Sequence, residues 1–162
     1  MKTFICYLLL IAIMFSACAQ SWPLKSTYAY KITRLPGTIM VNEAGEQISP
    51  RSFITYFIYA ESTSPIAWQT AWIAGKSYSV TTTQITAFPF QAGISATDQT
   101  PIFIQRKSGV KLYQLALRPE VNSTALPSNS GKGKILLRGS YKNKVIKKWI
   151  NNIIDLYIEP SV

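Results

Sequence analysis

Short runs of β-branched and aromatic residues recur along the chain from residue 26 onward, separated by Gly, Pro, Asn and Ser. This pattern is typical of β-strands bounded by turns. The predicted strands cover residues 26–35, 38–41, 52–60, 66–73, 78–87, 102–106 and 110–117. Many short strands at close spacing, with no internal repeat, indicate an all-β fold. We therefore predict a single-domain antiparallel β-sandwich, Ig-like in general shape, over residues 26–162, with Trp68 or Trp72 as a buried core anchor.

Turn residues predict where the chain reverses direction. The turns are placed at Pro36-Gly37, at 42–45, at Gly75-Lys76 and at Lys107-Ser108-Gly109. A three-residue hairpin loop favours Gly at a position of positive φ, so strands 102–106 and 110–117 are expected to pair around Gly109. Residues 90–101 look irregular, and residues 118–133, with two Pro and several Ser, Asn and Gly, predict a long loop.

The last segment, residues 134–159, predicts up to three further strands. A helix over residues 144–157 is the alternative, because its apolar residues also fit a period of 3.6. These residues are Val145, Ile146, Trp149, Ile150, Ile153, Ile154 and Tyr157. Strands are favoured because most of these side chains are β-branched and because Lys142-Asn143 and Asn151-Asn152 lie where two-residue hairpin turns would.

A turn at Lys142-Asn143 fixes the register of the hairpin, with Tyr141 opposite Lys144. One face then packs inward and consists of Ile135, Leu137, Gly139, Tyr141, Ile146 and Ile150. On the other face, Arg138 lies opposite Lys147 and Leu136 lies opposite Trp149. The hairpin is therefore expected to present a cationic pair beside an aromatic side chain.

The chain begins with a pattern typical of export signals: Lys2, an apolar run over residues 4–15, and small residues after it. The sequence Phe15-Ser16-Ala17-Cys18 resembles the lipobox of bacterial lipoproteins. The resemblance implies a signal peptide over 1–17, acylation of Cys18 and a lipid-anchored tether over 18–25. Ala19 is not the Asp that retains some lipoproteins at the inner membrane, so the resemblance favours the outer membrane of a bacterial cell envelope.

Two other fates of the N-terminal segment remain open. The triplet Ala17-Cys18-Ala19 also fits ordinary signal peptidase, which would release a soluble, secreted or periplasmic protein that begins at Gln20. Alternatively the segment stays uncleaved, although its apolar run is shorter than the ~20 residues that a membrane span needs. Whether the chain is cleaved before Cys18 as a lipoprotein or after Ala19 by ordinary signal peptidase, Cys6 leaves with the signal, and the folded domain contains no thiol.

Composition excludes several kinds of chemistry. The 162 residues include 17 Lys and Arg, 7 Asp and Glu, two Cys and no His, for a formal net charge of +10. Without His there is no Ser-His-Asp triad, no Cys-His pair and no imidazole metal ligand. Two Cys cannot form a four-ligand zinc site. We expect no cofactor, no metal and no catalytic residue of these common types.

Two motif fragments are better explained as turns. Gly75-Lys76-Ser77 matches the end of a phosphate-binding loop, but Thr70 occupies the position of its first Gly. Residues 108–111 match S-x-x-K, which requires a helix and falls here in a predicted hairpin turn. Paired carboxylates remain the one route to an enzyme. The acids are Glu43, Glu46, Glu61, Asp98, Glu120, Asp155 and Glu159, and no pair stands out, so a small carboxylate-based envelope hydrolase stays an alternative.

The basic residues are concentrated near the C-terminus. Between Glu120 and Asp155 there is no acid, and the bases are Lys132, Lys134, Arg138, Lys142, Lys144, Lys147 and Lys148. The candidate ligand-binding residues are Arg138, Lys147, Trp149, Lys132 and Lys134, because cations beside an aromatic ring suit an anionic ligand or lipid headgroup. Lysines also protect edge strands from pairing with other chains, which is the simpler interpretation.

These patterns together predict a cell-envelope lipoprotein that acts as a non-catalytic binding or assembly module. Its partners would be the membrane, through the N-terminal lipid, and envelope proteins or an anionic glycan. The alternative within the binding class is a lipid- or anionic-glycan-binding domain that uses the basic C-terminal hairpin. No nucleic-acid partner is expected, because the chain is predicted to be exported.

Overall fold

The structure is a computed structural model, and it describes residues 22–34, 40–45, 47–48, 53–120 and 134–157. Within these ranges the regular structure is all strand, so the predicted all-β class is confirmed. The strands are β1 Leu24–Arg34, β2 Met40–Val41, β3 Gln47–Ile48, β4 Phe53–Ser62, β5 Ala67–Ile73, β6 Lys76–Ile85, β7 Phe90–Ile94, β8 Pro101–Ile104, β9 Lys111–Pro119, β10 Ile135–Tyr141, β11 Lys144–Ile150 and β12 Ile153–Asp155. No helix in the described part of the chain is long and apolar enough to cross a membrane.

Eight strands form one sheet in the order β11-β10-β5-β6-β9-β4-β1-β12. Neighbours are antiparallel except β1 and β12, which run parallel, so the sheet is mixed. The two edge strands, β11 and β12, are joined by only Asn151 and Asn152. Ile150 and Ile153 can then be at most ~11 Å apart, so the sheet must curl until its edges approach each other. Cα atoms of β1 and β11 indeed lie within 8 Å of one another.

The curled sheet has an apolar cluster on each face, in a sandwich-like arrangement. The larger cluster fills the concave face and includes Ile58, Leu115, Ile135 and Trp68, which takes the predicted role of a core anchor. The smaller cluster lies on the outer face, where the hairpin of β7 and β8 covers Tyr30 and Tyr59. β4 contributes alternate side chains to both clusters, which explains its nearly continuous apolar sequence.

The C-terminal segment is strand, as favoured, and the helix over 144–157 is wrong. Lys142 and Asn143 have φ values of 47° and 61°, the backbone of a two-residue hairpin turn. The register is the predicted one, with Tyr141 opposite Lys144 and Arg138 opposite Lys147. The expected inward residues Ile135, Leu137, Ile146 and Ile150 are all buried in the concave cluster.

Three local predictions are wrong. Residues 90–101, expected to be irregular, contain β7, which pairs with β8. β8 does not pair with β9, because β4 and β6 occupy the two sides of β9, although Gly109 has the expected positive φ of 70°. Asn151-Asn152 connects the two edge strands β11 and β12 and is not a hairpin turn, because β12 pairs in parallel with β1. The second and third errors concern the partners of β9 and β12, which lie far away in the sequence and which local turn signals do not encode.

A buried ion pair attaches the loop after β8 to the main sheet. Glu61, near the end of β4, has a side chain only 3% exposed, and its Oε2 lies 2.6 Å from Nζ of Lys107. Lys107 also donates a hydrogen bond to the hydroxyl of Tyr28 at 3.3 Å. Hydrogen bonding to Glu61 and then to Tyr28 raises the pKa of Lys107. The ion pair between Lys107 and Glu61 thus holds the loop of residues 105–110 against β4.

Candidate functional site

The described part of the molecule has an open groove where the sheet splits between β5 and β6. The two strands pair from Ile73 opposite Lys76 to Thr70 opposite Ser79, and no further. Beyond this point β5 stays with β10, as far as Ala67 opposite Ser140, while β6 continues along β9 to Ile85. An irregularity in the β5–β10 register between Arg138 and Gly139 coincides with the divergence.

The groove is large enough to hold a ligand segment. Its volume is about 900 Å³, near the upper end of the range for small-molecule sites. The lining residues are Pro65, Ile66, Ala67, Trp68, Val80, Thr81, Thr82, Gln84, Tyr113, Ser140, Tyr141, Lys142 and Asn143. Buried Trp68 and Tyr113 form its deepest part, and the exposed residues of β6 and of the β10–β11 turn form its rim.

Trp68 is held in place by a glycine on the neighbouring strand. A Cβ atom on Gly139 would lie 2.7 Å from the carbonyl oxygen of Ala67 and 2.9 Å from Cε3 of Trp68. These distances are shorter than any van der Waals contact, so only glycine permits this approach of β5 to β10. Gly139 therefore determines both the local strand spacing and the position of the indole in the groove.

Tyr113 carries a buried hydroxyl group in the groove that has no hydrogen-bond partner in the described structure. The residue is 6% exposed, and burial raises the pKa of the Tyr113 hydroxyl. A buried hydroxyl without a partner is costly, and native proteins rarely leave one unsatisfied. The hydroxyl oxygen is enclosed by the protein, and the indole Nε1 of Trp72 and the hydroxyl of Ser77 are likewise buried without a partner in the described structure.

The polar groups of the groove are hydroxyls, amides and one ammonium group. Thr82, Gln84, Ser140 and Asn143 supply donors and acceptors, and Nζ of Lys142 lies 5.4 Å from the ring centroid of Tyr141. None of the residues described as lining the groove is an acid. The groove therefore combines aromatic surface with neutral hydrogen-bonding groups and has a weakly positive rim.

A second recess lies at the seam between the two edges of the sheet. Its volume is about 300 Å³, and Thr27, Ala29, Lys148 and Trp149 are among its lining residues. Lys148 is two positions away from each of the buried residues Ile146 and Ile150, so it belongs to the same, concave side of β11. A charged residue turned inward on an edge strand prevents edge-to-edge pairing, which is sufficient explanation for this lysine.

The residues predicted from the sequence lie on the outer face of β10 and β11, away from the groove. Arg138 and Lys147 are directly opposite each other and exposed, and Lys134 is exposed just before β10. Trp149 is half-buried opposite the buried Leu136. Lys132 lies outside the described residues, as does Cys18. The structure thus places the cationic pair beside the tryptophan. The anionic ligand expected for these residues stays a prediction.

Sequence reasoning missed the groove because the end of a strand pairing has no local signal. One hint was present in β6, where Thr81, Thr82, Thr83 and Gln84 are consecutive polar residues. A strand segment in which neither face is apolar has no side that can pack against a hydrophobic core. All four of these residues are exposed in the structure.

The described acids lie on five separate segments of the chain. They are Glu43, Glu61, Asp98, Glu120 and Asp155. Glu61 is bound to Lys107, and Oδ1 of Asp155 lies 3.1 Å from Nζ of Lys31. Hydrogen bonds from Ser95 and Thr100 lower the pKa of Asp98. In the described ranges no group of three acidic or thiol side chains is placed to hold a metal ion. Glu46 and Glu159 lie outside these ranges.

No protein-family model matches this chain, and no match was found among curated proteins or among solved structures. The site therefore has to be interpreted from its own geometry.

Proposed function

We propose that this protein is a lipid-anchored binding module of the bacterial outer membrane, and that it holds its partner in the groove between β5 and β6. The partner class is an extended segment of an envelope protein or glycan. The observation that carries the proposal is the groove itself, which combines the aromatic side chains of Trp68 and Tyr113 with hydroxyl and amide groups. The export signal and the lipobox-like residues before Cys18 support the location.

The composition of the groove favours binding over catalysis. A hydrolase of the two-carboxylate type needs an acid and a base on either side of the scissile bond. The residues described around the groove offer neither, whereas hydroxyl, amide and aromatic groups suit the hydroxyl edges and C–H faces of sugars. The same groups also suit a peptide backbone, which could pair with the side of β6 that β5 leaves after Ser79.

A photo-crosslinking residue at Thr82 is expected to capture the partner in living cells, whereas the same residue at Thr83 is not. Thr82 lines the groove, while Thr83 is the next residue on β6 and faces the opposite side. The measurement is the adduct pattern on gels, with protease or glycosidase digestion to assign the captured class. Identical adducts from both positions would place the partner outside the groove and contradict the proposal.

A second candidate function is the binding of an anionic lipid or glycan by the outer face of β10 and β11. It is favoured by one observation: Arg138 and Lys147 are exposed and directly opposite each other, although like charges across a ladder destabilise it. An anion between them would relieve this repulsion.

For this second candidate, the double variant Arg138→Glu/Lys147→Glu is expected to lose retention on an anionic polysaccharide column at low salt. The reason is that the variant replaces the cationic pair by two acids. The control is Lys76→Glu/Arg118→Glu, which makes the same change in net charge at exposed positions elsewhere. If both doubles lose retention equally, only net charge matters and no specific site exists.

A further inference from the structure

One end of the curled sheet collects the segments nearest to the predicted anchor. Leu24 at the start of β1 pairs with Ser62 at the end of β4, which pairs with Lys111 at the start of β9. On the other side, the start of β5 pairs with the end of β10, whose turn leads into β11. We name this surface the tether end and define it as residues 22–25, 62–68, 106–111 and 141–145.

The tether end is strongly cationic. Its six bases are Lys25, Arg106, Lys107, Lys111, Lys142 and Lys144. The eight other described bases are distributed over the rest of the fold together with four of the five described acids. The described residues that define the tether end include no acid, and the acid adjoining them, Glu61 at the end of β4, is buried against Lys107. Bases therefore outnumber acids among the described residues at this end.

Two large apolar side chains protrude at the same end. Trp22 is 53% exposed immediately before β1, and Val145 is 58% exposed at the start of β11. Tryptophan next to cations is typical of surfaces that enter the headgroup layer of a bilayer, where the indole is half in water. The combination suits a membrane surface better than it suits bulk solvent.

The predicted anchor limits how far this end can move from the membrane. Cys18 is four residues before Trp22, and four residues span at most ~14 Å when fully extended. A polybasic surface within that distance of an anionic leaflet experiences its attraction only over about a Debye length, ~8–10 Å. The length of the extended tether and the distance over which the anionic leaflet attracts the basic surface are thus comparable.

We propose that the tether end docks on the anionic lipid headgroups of the membrane that holds the anchor, with Trp22 in the headgroup layer. The proposal rests on the proposed acylation of Cys18. Lys142 lines the groove and also belongs to the tether end, so the groove lies beside the docked surface.

The test uses the acylated full-length protein in vesicles of phosphatidylcholine with phosphatidylglycerol. The described domain contains no cysteine, so single Ser→Cys substitutions can carry a fluorophore. Ser108→Cys labels the tether end, and Ser79→Cys labels β6 opposite Arg118, toward the other end. With a nitroxide quencher on the lipid headgroups, the label at Ser108 is expected to lose most of its fluorescence and the label at Ser79 to keep it.

Charge reversal then tests the electrostatic contact. Lys25→Glu/Lys142→Glu is expected to abolish the quenching at Ser108, whereas the matched double Lys76→Glu/Arg118→Glu leaves it unchanged. Equal quenching of the two labels, or quenching that survives the reversal at Lys25 and Lys142, overturns the docking. Incorporation of a labelled fatty acid, lost in Cys18→Ala, reports the anchor separately. Anchor failure is thus distinguished from a domain that is anchored but not docked.

Discussion

Replacing Lys107 with Met is expected to lower the free energy of unfolding by about 3 kcal/mol. The substitution leaves the Glu61 carboxylate 3% exposed and without its cation, which lay 2.6 Å away. A buried unpaired charge is among the costliest defects in a folded protein. Urea unfolding followed by circular dichroism measures the loss.

The partner variant provides the control, because the two members of the pair differ in exposure. The side chain of Lys107 is 52% exposed, so it can be hydrated when its partner is removed. Glu61→Met is therefore expected to cost no more than about 1 kcal/mol, and the double variant with Lys107→Met should recover most of the lost stability. Equal losses in the two single variants would show that the ion pair stabilises through mutual attraction and not through relief of a buried charge.

Replacing Gly139 with Val is expected to destabilise the protein by about 2–3 kcal/mol and to displace Trp68. The new Cβ would overlap the carbonyl oxygen of Ala67, a backbone atom that cannot rotate away. The strands would have to separate at the point where the groove begins. Urea unfolding measures the stability, and the emission maximum of the tryptophans in the native state measures the displacement.

The control for this prediction is the adjacent residue on the same strand. Arg138→Ala changes an exposed side chain on the opposite face of β10 and is expected to change stability by no more than about 0.5 kcal/mol. A Gly139→Val variant as stable as Arg138→Ala, with unchanged tryptophan emission, would mean that β5 and β10 can separate freely. The groove would then lack the fixed geometry that the proposed function requires.

The hairpin of β10 and β11 was predictable in detail because its determinants are local. Asn143, a residue tolerant of positive φ, marked the two-residue turn with Lys142, and the alternation of Ile135, Leu137 and Ile146 fixed which face is buried. A one-residue slip would have exposed the whole apolar set, so only one register was compatible with the sequence. The same reasoning correctly placed the turn at Gly75.

The pairings that build the site were not predictable, since they join residues distant in sequence. β9 pairs with β4 on one side and β6 on the other, which leaves no side for β8, and Lys107 joins the loop after β8 to Glu61, 46 positions earlier in the chain. The groove exists because β5 parts from β6 beyond Thr70, at the level where the pairing of β5 with β10 becomes irregular next to Gly139. Gly139 is visible in the sequence, but its contact with Trp68 becomes apparent only in the three-dimensional structure.

The parallel pairing of β1 with β12 has a consequence for the order of folding. It brings Ala29 beside Ile153, so the first described strand is completed by the last. Contacts between such distant residues carry a large loop-closure entropy and form late and slowly. The sheet cannot close before residue 155 has been synthesised, and until then both of its edges are open.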